Sequence, residues 1–515
     1  MENRLSGEIN IESIRALDEQ IRVHEAAIAK LKRTRNSLLN IYKIPPEILG
    51  NIFRWNVMFK DGFDGFEEGS HSFLLVCRYW FEVALCTPEL WSFWGNTLKD
   101  WARCHRRSGT APLDLVLNRR GYDDGSLDIT LGNLLQDRAA RDTIRRIHLK
   151  AESSGFLNSL LSRLTTNSEE LQSISVESFI LQAKNLFIPV DISNFFTYRR
   201  FPKLQRIELF NCSISSWDLI LSQTPVLATL DLDFNYVEPI PTISQLFSML
   251  SYPTLRKVSL SRWGNPGSGD RNPSPRVSLC HLKELKLAGD PQNVFGLLHR
   301  LDPPTHVDNL EIVLDCEVGD ISHIGPYLRD YLQHRGKSQN GLGLFLSFED
   351  CIGRIHIGDV GGIDFSAPSP GRMDTFVVII LDFLPVHPKE IFTNLIAHIP
   401  REEIVYFRAY GEPVAMENIS ARFPNLGGLH LERTPLPAAF PKSDLGRGGE
   451  IFPSLRYVLL DWVAADDGDW SPLMTFLYRR ASFGDLLDTL VLVGSYHLSP
   501  SVLQSLGKVV KRLRH

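Results

Sequence analysis

This sequence of 515 residues has little of what usually announces chemistry or location. Its seven cysteines stand at 77, 86, 104, 212, 280, 316 and 351, and no two form a Cys-x-x-Cys pair. The odd count and wide spacing exclude a disulfide framework and a cysteine-based zinc site. Cysteine used this way fits a reducing compartment, cytoplasmic or nuclear. No apolar run reaches the roughly 18 residues that a membrane-spanning helix needs. The opening MENRLSGEINIESIRALDEQ lacks the apolar stretch and small-residue cleavage site of a secretory signal. Charge is nearly balanced, 55 Lys and Arg against 60 Asp and Glu, with a net charge of -5. No global field therefore draws the chain to nucleic acid or to an anionic membrane.

Catalytic signatures are missing as well. There is no G-x-x-x-x-G-K-[ST] phosphate loop, no G-x-S-x-G elbow and no H-E-x-x-H pair. Gly264, Gly267 and Gly269 lie in a proline-rich stretch and not between a strand and a helix. Asp231 and Asp233 have D-x-D spacing but belong to a strand-like run, so they read as surface polar residues. Asp466, Asp467, Gly468 and Asp469 read as a solvated acidic turn. The expectation is a chain with no catalytic residue, no cofactor and no metal.

What is present is ordinary globular composition, 43% hydrophobic and 22% charged, enough to bury a large core. Residues 11–42 contain no Gly or Pro and are rich in helix formers. Seven-residue spacing puts Ile14, Ile21, Ile28 and Arg35 on one row and Leu17, His24, Leu31 and Leu38 on the next. That stripe fits a coiled coil that pairs two copies, or a single amphipathic helix lying on the domain that follows.

Residues 44–91 carry the sharpest pattern: IPPEILGNIF, an insertion, then FLLVCRYWFEVALCTPELW. Pro45 and Pro46 impose an extended entry and pre-set the first helical turn, and Glu47 suits the positive helix end. Ile48, Leu49, Ile52 and Phe53 share a helical face. A second helix is expected from about Ser72 to Leu85, with Phe73, Val76, Cys77, Trp80 and Ala84 aligned and Leu74, Leu75, Phe81 and Leu85 widening the face. So much apolar surface on so short a helix pair wants a partner groove or an attached domain.

The ordered entry, V-C-R-x-W core and T-P-x-L-W close resemble the F-box, the docking module of substrate receptors in SCF (Skp–cullin–F-box) ubiquitin ligases. Together with the preceding helix and the later WARCHRRSGTAPLDLVL, they resemble fungal F-box-like proteins. The resemblance implies that Ile44, Pro45, Glu47, Ile48, Leu49, Ile52, Phe53, Leu75, Val76, Cys77 and Trp80 contact the Skp adaptor. The chain departs from the pattern in having Ile44 for the usual Leu and a glycine-containing acidic segment at 54–70 between the helices. Trp91, Trp94 and Trp101 read as core of the junction.

Beyond about residue 112 a unit L-x-x-L-x-L recurs: IRRIHL (144–149), LQSISV (171–176), LQRIEL (204–209), LATLDL (227–232), LRKVSL (255–260), LKELKL (282–287), VDNLEI (307–312), LGGLHL (426–431), LRYVLL (455–460) and LDTLVL (487–492). Spacings of this kind match irregular leucine-rich repeats, each a strand plus a returning helix that buries its apolar face only by stacking. Cys212 and Asn235 fall where such repeats bond the loop after the strand. Phe-Pro or a related pair precedes many copies, at 201–202, 224–225, 252–253, 423–424 and 452–453, where proline ends a helix and launches the strand. Runs at 343–348, 354–358, 375–381 and 404–410 read as degenerate copies in the same rhythm, and the segments 262–277 and 359–373 as Gly/Pro/Ser-rich insertions.

The expected fold is thus α/β: an N-terminal helix (1–42), a helical F-box-like domain (43–110) and a leucine-rich-repeat-like solenoid (111–515). Its strand face would present Arg206, Glu208, Asp231, Asp233, Lys257, Lys283, Lys286 and Glu311, with His430 and Arg456 further along, to a protein substrate. The implied role is a non-catalytic receptor subunit holding the Skp adaptor directly and the cullin scaffold indirectly, with a possible homodimer through 11–42. The alternatives are an F-box scaffold acting outside a ligase, and an enzyme housed in the irregular stretch 313–425.

Overall fold

The computed structural model describes residues 2–59, 72–94, 101–119, 143–165, 175–183, 188–197, 200–234, 241–263, 276–279, 281–302, 307–315, 324–335, 342–349, 352–359, 374–382, 396–411, 416–434, 440, 452–462, 469–494 and 498–515. Outside them fall most of the three insertions, and also Cys280, Cys316, Cys351, Asn235 and Asp466–Gly468. The fold is α/β, and none of its described helices is long and apolar enough to cross a membrane. The chain divides into two compact units, Met1–Asn185 with Asn194–Leu204, and Leu186–Ser193 with Gln205–His515.

The first unit opens with α1 (Glu2–Ser37), α2 (Pro46–Phe59), a 3-10 turn (Ser72–Leu75) and α3 (Arg78–Leu85). The second helix expected over 72–85 is therefore broken. Val76 and Cys77 interrupt it, with Cys77 fully extended (φ -161°, ψ 169°) as the residue that starts α3. No Gly or Pro marks this break, so apolar spacing alone reads straight through it. A strand β1 (Phe93–Trp94), α4 (Trp101–Ser108), β2 (Leu113–Arg119), β3 (Ile144–Ala151), α5 (Ser154–Thr165) and β4 (Ser178–Ala183) follow. The four strands pair in parallel, with Leu115, Ile147 and Phe179 in one row and Leu117, Leu149 and Leu181 in the next. The second repeat strand is thus SFILQA and not LQSISV: residues 171–174 lie outside the described set, and Ser175 and Val176 precede the strand.

In the second unit, β5 (Val190–Asp191) pairs with β7 (Cys212–Ser213). The main sheet runs through β6 (Arg206–Phe210), β8 (Thr229–Asp233), β9 (Lys257–Ser261), β10 (Glu284–Gly289) and β11 (Asn309–Asp315), all parallel. Ile207, Leu230, Val258, Leu285 and Leu310 align in one row, and Leu209, Leu232, Leu260, Leu287 and Ile312 in a second. Both rows are buried, while alternate residues face the other side. Between strands lie short amphipathic helices: α6 (Asp218–Gln223), α7 (Ile243–Leu250), α8 (Pro291–Leu298) and α9 (Ile324–Arg335). Two start on side-chain caps: Thr242 forms a reciprocal capping box with Gln245, and Asp290 accepts from the Gln292 and Asn293 amides.

The stretch read as degenerate repeats departs from the parallel rhythm. Strands β12 (Leu342–Glu349), β13 (Ile352–Asp359) and β14 (Asp374–Asp382) enter the sheet in reverse order: β14 pairs with β11, β13 runs antiparallel between β14 and β12, and β12 pairs with β15 (Ile404–Tyr410). The antiparallel step between β12 and β13 follows from connection length. Only residues 350 and 351 separate β12 from β13, and a parallel crossover takes about a dozen residues or more. Register survives the reversal, with Ile312, Ile379, Ile355, Leu346 and Ala409 in one row. Parallel pairing then resumes through β16 (Gly428–Glu432), β17 (Tyr457–Asp461), β18 (Thr489–Val493) and β19 (Leu513–Arg514), with helices α10 (Met416–Arg422), α11 (Ser471–Ser482) and α12 (Pro500–Val509) between them.

Two local devices repeat. Ahead of the strands, X-Pro-x-Leu is a hydrogen-bonded turn in which the leucine amide donates back three residues: Leu204 to Phe201, Leu227 to Thr224, Leu255 to Tyr252, Leu426 to Phe423 and Leu455 to Phe452, at 3.1–3.3 Å. Proline pre-sets the φ of the second turn residue, so it shapes a turn where the sequence alone suggested a helix stop. After the strands, a left-handed residue recurs: Asn211, Arg262, Gly411, Arg433, Trp462 and Gly494 all have positive φ. The first five of these donate their amides to a residue at the end of a neighbouring strand, Trp462 to the Val493 carbonyl at 3.0 Å for example. Gly494 has φ 112° and a Cβ there would sit 3.2 Å from the Trp462 ring. Gly494→Ala is expected to cost about 1–2 kcal/mol from backbone strain, read as faster amide exchange in β17 and β18.

Candidate functional site

The F-box-like segment builds its own core first. Leu49, Phe53, Phe73, Val83, Ala84, Leu90 and Trp91 are buried together, with Ile44, Leu74, Tyr79, Trp80, Leu85 and Cys104 packed around them. Phe53 stacks on Phe73 at 4.5 Å and lies 5.1 Å from Trp80. The Tyr79 hydroxyl donates to the Ile44 carbonyl at 2.7 Å, tying α3 to the entry segment. The T-P-x-L-W close finishes α3: Thr87 Oγ1 donates to the Val83 carbonyl and the Trp91 indole N–H to the Ala84 carbonyl, both at 2.8 Å. Both carbonyls lie in the last turn of α3, where they also accept the Cys86 and Thr87 amides. Thr87 also packs against α2, where a Cβ at Gly50 would meet its hydroxyl at 3.0 Å. Arg107 lies over the Trp91 ring at 4.3 Å.

That core divides the residues assigned to adaptor contact. Leu49 and Phe53 are fully inside it, and Ile44, Cys77 and Trp80 are half-buried. Pro45, Glu47, Ile48, Ile52, Leu75 and Val76 are on the surface, with Ile48 at 52%, Ile52 at 47%, Val76 at 57% and Leu75 at 89% exposed. Trp55, which the sequence reading left out, is exposed one turn beyond Ile52, so Ile48, Ile52 and Trp55 make an outer apolar stripe on α2. Its signal was the i, i+4, i+7 spacing. On α1 the whole heptad stripe is exposed: Ile14, Leu17, Ile21, Ile28, Leu31 and Leu38.

On the sheet of the second unit, the residues assigned to substrate contact are largely paired with one another. Lys257 meets Glu284 at 2.6 Å and Lys286 meets Glu311 at 2.9 Å, each pair directly opposed on adjacent strands. Arg206 pairs with Glu208 on the same strand, and Asp233 with Arg262 at 2.9 Å. Asp231 and Lys283 make no ion pair among the described residues, and Lys283 lies just before β10. The face is charged but internally neutralised.

From β15 onward the face changes character. Burial alternates along β8 and β11, but Gly428–Leu431 and Tyr457–Leu460 are buried without a break. Strands covered on both sides read as continuous apolar runs, which is why YVLL and TLVLV carry little alternation. Within this covered part sit Tyr406, Arg408, His430, Glu432, Tyr457 and Asp461. Parallel register sets Arg408 beside His430 and Glu432 beside Asp461. Arg408 donates to Glu432 at 2.5 Å and lies over the Phe345 ring at 4.8 Å. Tyr406 Oη and His430 Nδ1 are 3.2 Å apart. Burial, reinforced by Arg408, pulls the His430 pKa down to about 3, so its imidazole is neutral. Burial and the neighbouring Glu432 push Asp461 up from the usual carboxylate range. Among the described residues, His430, Glu432 and Asp461 are the one group of three that brings potential metal-ligand atoms within 4.8 Å of one another. His430 was legible only as one more face residue, because Glu432 two positions on is unremarkable alone and Asp461 joins them only through strand register.

No protein-family model matches the sequence, and no curated protein matches it significantly.

Proposed function

We propose that this chain is an F-box receptor: its docking module holds a Skp-type adaptor of an SCF-type ubiquitin ligase, and its strand-and-helix units form a leucine-rich-repeat-like solenoid that presents a protein substrate. The observation that carries the reading is the ordered F-box motif whose internal core is complete and which still leaves Ile48, Ile52, Trp55, Leu75 and Val76 exposed. Large apolar side chains left outside a satisfied core mark an interaction site, and a short helix with an outer apolar stripe suits a partner groove. In this role the chain makes and breaks no covalent bond. Its gain is proximity, the raised effective concentration of a substrate lysine near a ubiquitin-charged enzyme. The cullin scaffold is reached through the adaptor, and the compartment is cytoplasmic or nuclear.

The test is co-purification of the full chain with a Skp adaptor, then with adaptor and cullin together. Capture of both supports the receptor. Capture of the adaptor without cullin points to a scaffold outside a ligase, and no capture removes the docking reading.

The α1 stripe belongs to the same proposal as a self-association element. In the first part Glu12, Asp18, Glu19 and Glu25 outnumber Arg15 and Arg22, whereas Lys30, Lys32, Arg33 and Arg35 occupy the last without an acid among them. Antiparallel pairing sets acidic half against basic half. It also places Ile14 opposite the second copy's Leu31 and Leu17 opposite its Ile28, and it separates the two Arg35 side chains that a parallel pair would stack. Light scattering on the full chain is expected to give twice the monomer mass, reverting to monomer for Ile21→Asp with Ile28→Asp. A wild-type monomer at tens of micromolar would remove this element.

A further inference from the structure

We propose that His430, Glu432 and Asp461 form a binding site for a divalent transition-metal cation of the zinc type, set on the covered face of β16 and β17. The inference stands apart from the docking reading, which concerns the other unit.

Three observations carry it. First, the three side chains bring one nitrogen and two carboxylate oxygens within 4.8 Å of one another. Tetrahedral zinc with bonds of about 2.0–2.1 Å has its ligands about 3.3 Å apart, so small side-chain rotations close the set. Second, His430 is only 5% exposed and its Nε2 has no hydrogen-bond partner among the described residues. Third, Asp461 Oδ1 is likewise buried and unpartnered among them. Buried polar atoms are nearly always satisfied, and here a nitrogen acceptor and a carboxylate oxygen stand unsatisfied in one cluster. A cation supplies what both lack. One imidazole and two carboxylates suit zinc and its neighbours in the first transition row better than copper(I), which wants sulfur.

The surroundings fit a ligand set. Nε2 ligation requires the Nδ1–H tautomer, and Tyr406 Oη at 3.2 Å from Nδ1 is placed to accept that proton's hydrogen bond. Arg408 holds Glu432 through Oε2, which orients the carboxylate and leaves its second oxygen for the ion. Three protein ligands leave a fourth position for water or an incoming group. The site would staple β16 to β17 at the point where the sheet's outer face turns from exposed to covered.

Arg408 supplies a signature that a merely structural cluster would not have. Its positive charge repels a metal ion bound beside it, so Arg408→Gln is expected to tighten metal binding, while Tyr406→Phe weakens it by about 10–100-fold. The experiment is titration of the full chain, freed of metal by chelation, with cobalt(II). Expected is a visible d–d absorption that saturates at one equivalent, lacks thiolate charge-transfer intensity, and is displaced by zinc. Asp461→Asn and His430→Ala should each abolish it while circular dichroism stays unchanged. Asp461→Asn keeps shape and volume, so it decides the matter if His430→Ala misfolds. Absence of a saturable signal, a signal carrying thiolate charge-transfer bands, or one that survives Asp461→Asn would overturn the site.

Discussion

Replacing Ile48 and Leu75 together by aspartate is expected to abolish capture of a Skp-type adaptor and leave the fold intact. Both side chains are about half or more exposed, and substitutions at such positions shift stability by no more than about 0.5 kcal/mol each. In a docked complex the same carboxylates would be buried without partners. A loss of about 2 kcal/mol at each position, about 4 kcal/mol together, corresponds to a combined weakening of roughly 1,000-fold. Leu49→Ala and Phe53→Ala supply the contrast. Those side chains lie within the internal core, so each should cost about 2–5 kcal/mol of stability and reduce binding only by loosening the module. Trp80 is a poorer probe because it packs on Phe53 at 5.1 Å, which mixes docking with folding. Adaptor affinity by calorimetry, read beside amide-exchange protection in α2 and α3, separates the two classes. If the surface pair leaves affinity unchanged, this face is not the docking face.

Arg480→Met is expected to loosen the end of the sheet by about 3 kcal/mol. Arg480 lies on α11, is only 7% exposed, and donates to the Phe452 and Leu455 carbonyls. Those are the two ends of the X-Pro-x-Leu turn that precedes β17. Arg422 does the same from α10, donating to the Ile396 and Ile399 carbonyls at 3.2 and 2.8 Å, and Arg335 reaches the Val307 carbonyl from α9 at 3.1 Å. In these three places an arginine on the helix that follows a strand bonds backbone carbonyls just ahead of that strand. Hydrogen bonds from a charged donor are worth about 1.5–3 kcal/mol each, and removal takes one from each carbonyl, although the Phe452 carbonyl keeps the Leu455 amide. Lysine recovers only part, since a point charge cannot fork to two carbonyls. A chain of this size need not unfold in one step, so the measurement is native-state amide exchange at Leu455 and along β17. Unchanged protection there would show the arginine to be dispensable.

Much of this was legible beforehand. Apolar spacing named the residues that form the two buried rows, because a strand's inward positions follow from period two alone, whichever neighbours it acquires. The apolar residues of α2 and the X-Pro-x-Leu punctuation were written in local sequence, although Leu49 and Phe53, read as adaptor contacts, turned out to be core. The α/β class follows from strand-like runs alternating with amphipathic ones. Local order misled where the deciding contact was distant. The break at Val76 and Cys77 carries no breaker residue. LQSISV scores as a repeat strand, yet SFILQA takes the place beside β3, with Phe179 opposite Ile147.

Which strand becomes whose neighbour was decided only in three dimensions. The antiparallel pairing of β12 with β13 follows from the two residues that connect them, whereas the pairing of β14 with β11 is a tertiary choice. Exposure of Ile48 against burial of Leu49, one position on, depends on where α3 and the T-P-x-L-W close settle. The same holds for the cluster on β16 and β17. Glu432 and Asp461 are distant in sequence and become direct neighbours through parallel register, and His430 is buried because both faces of that part of the sheet are covered. A sequence states the periodicity of each element, which is local chemistry. Register, strand order and the covering of a second face are set by packing between elements far apart in the chain, and Asp461 meets His430 and Glu432 only there.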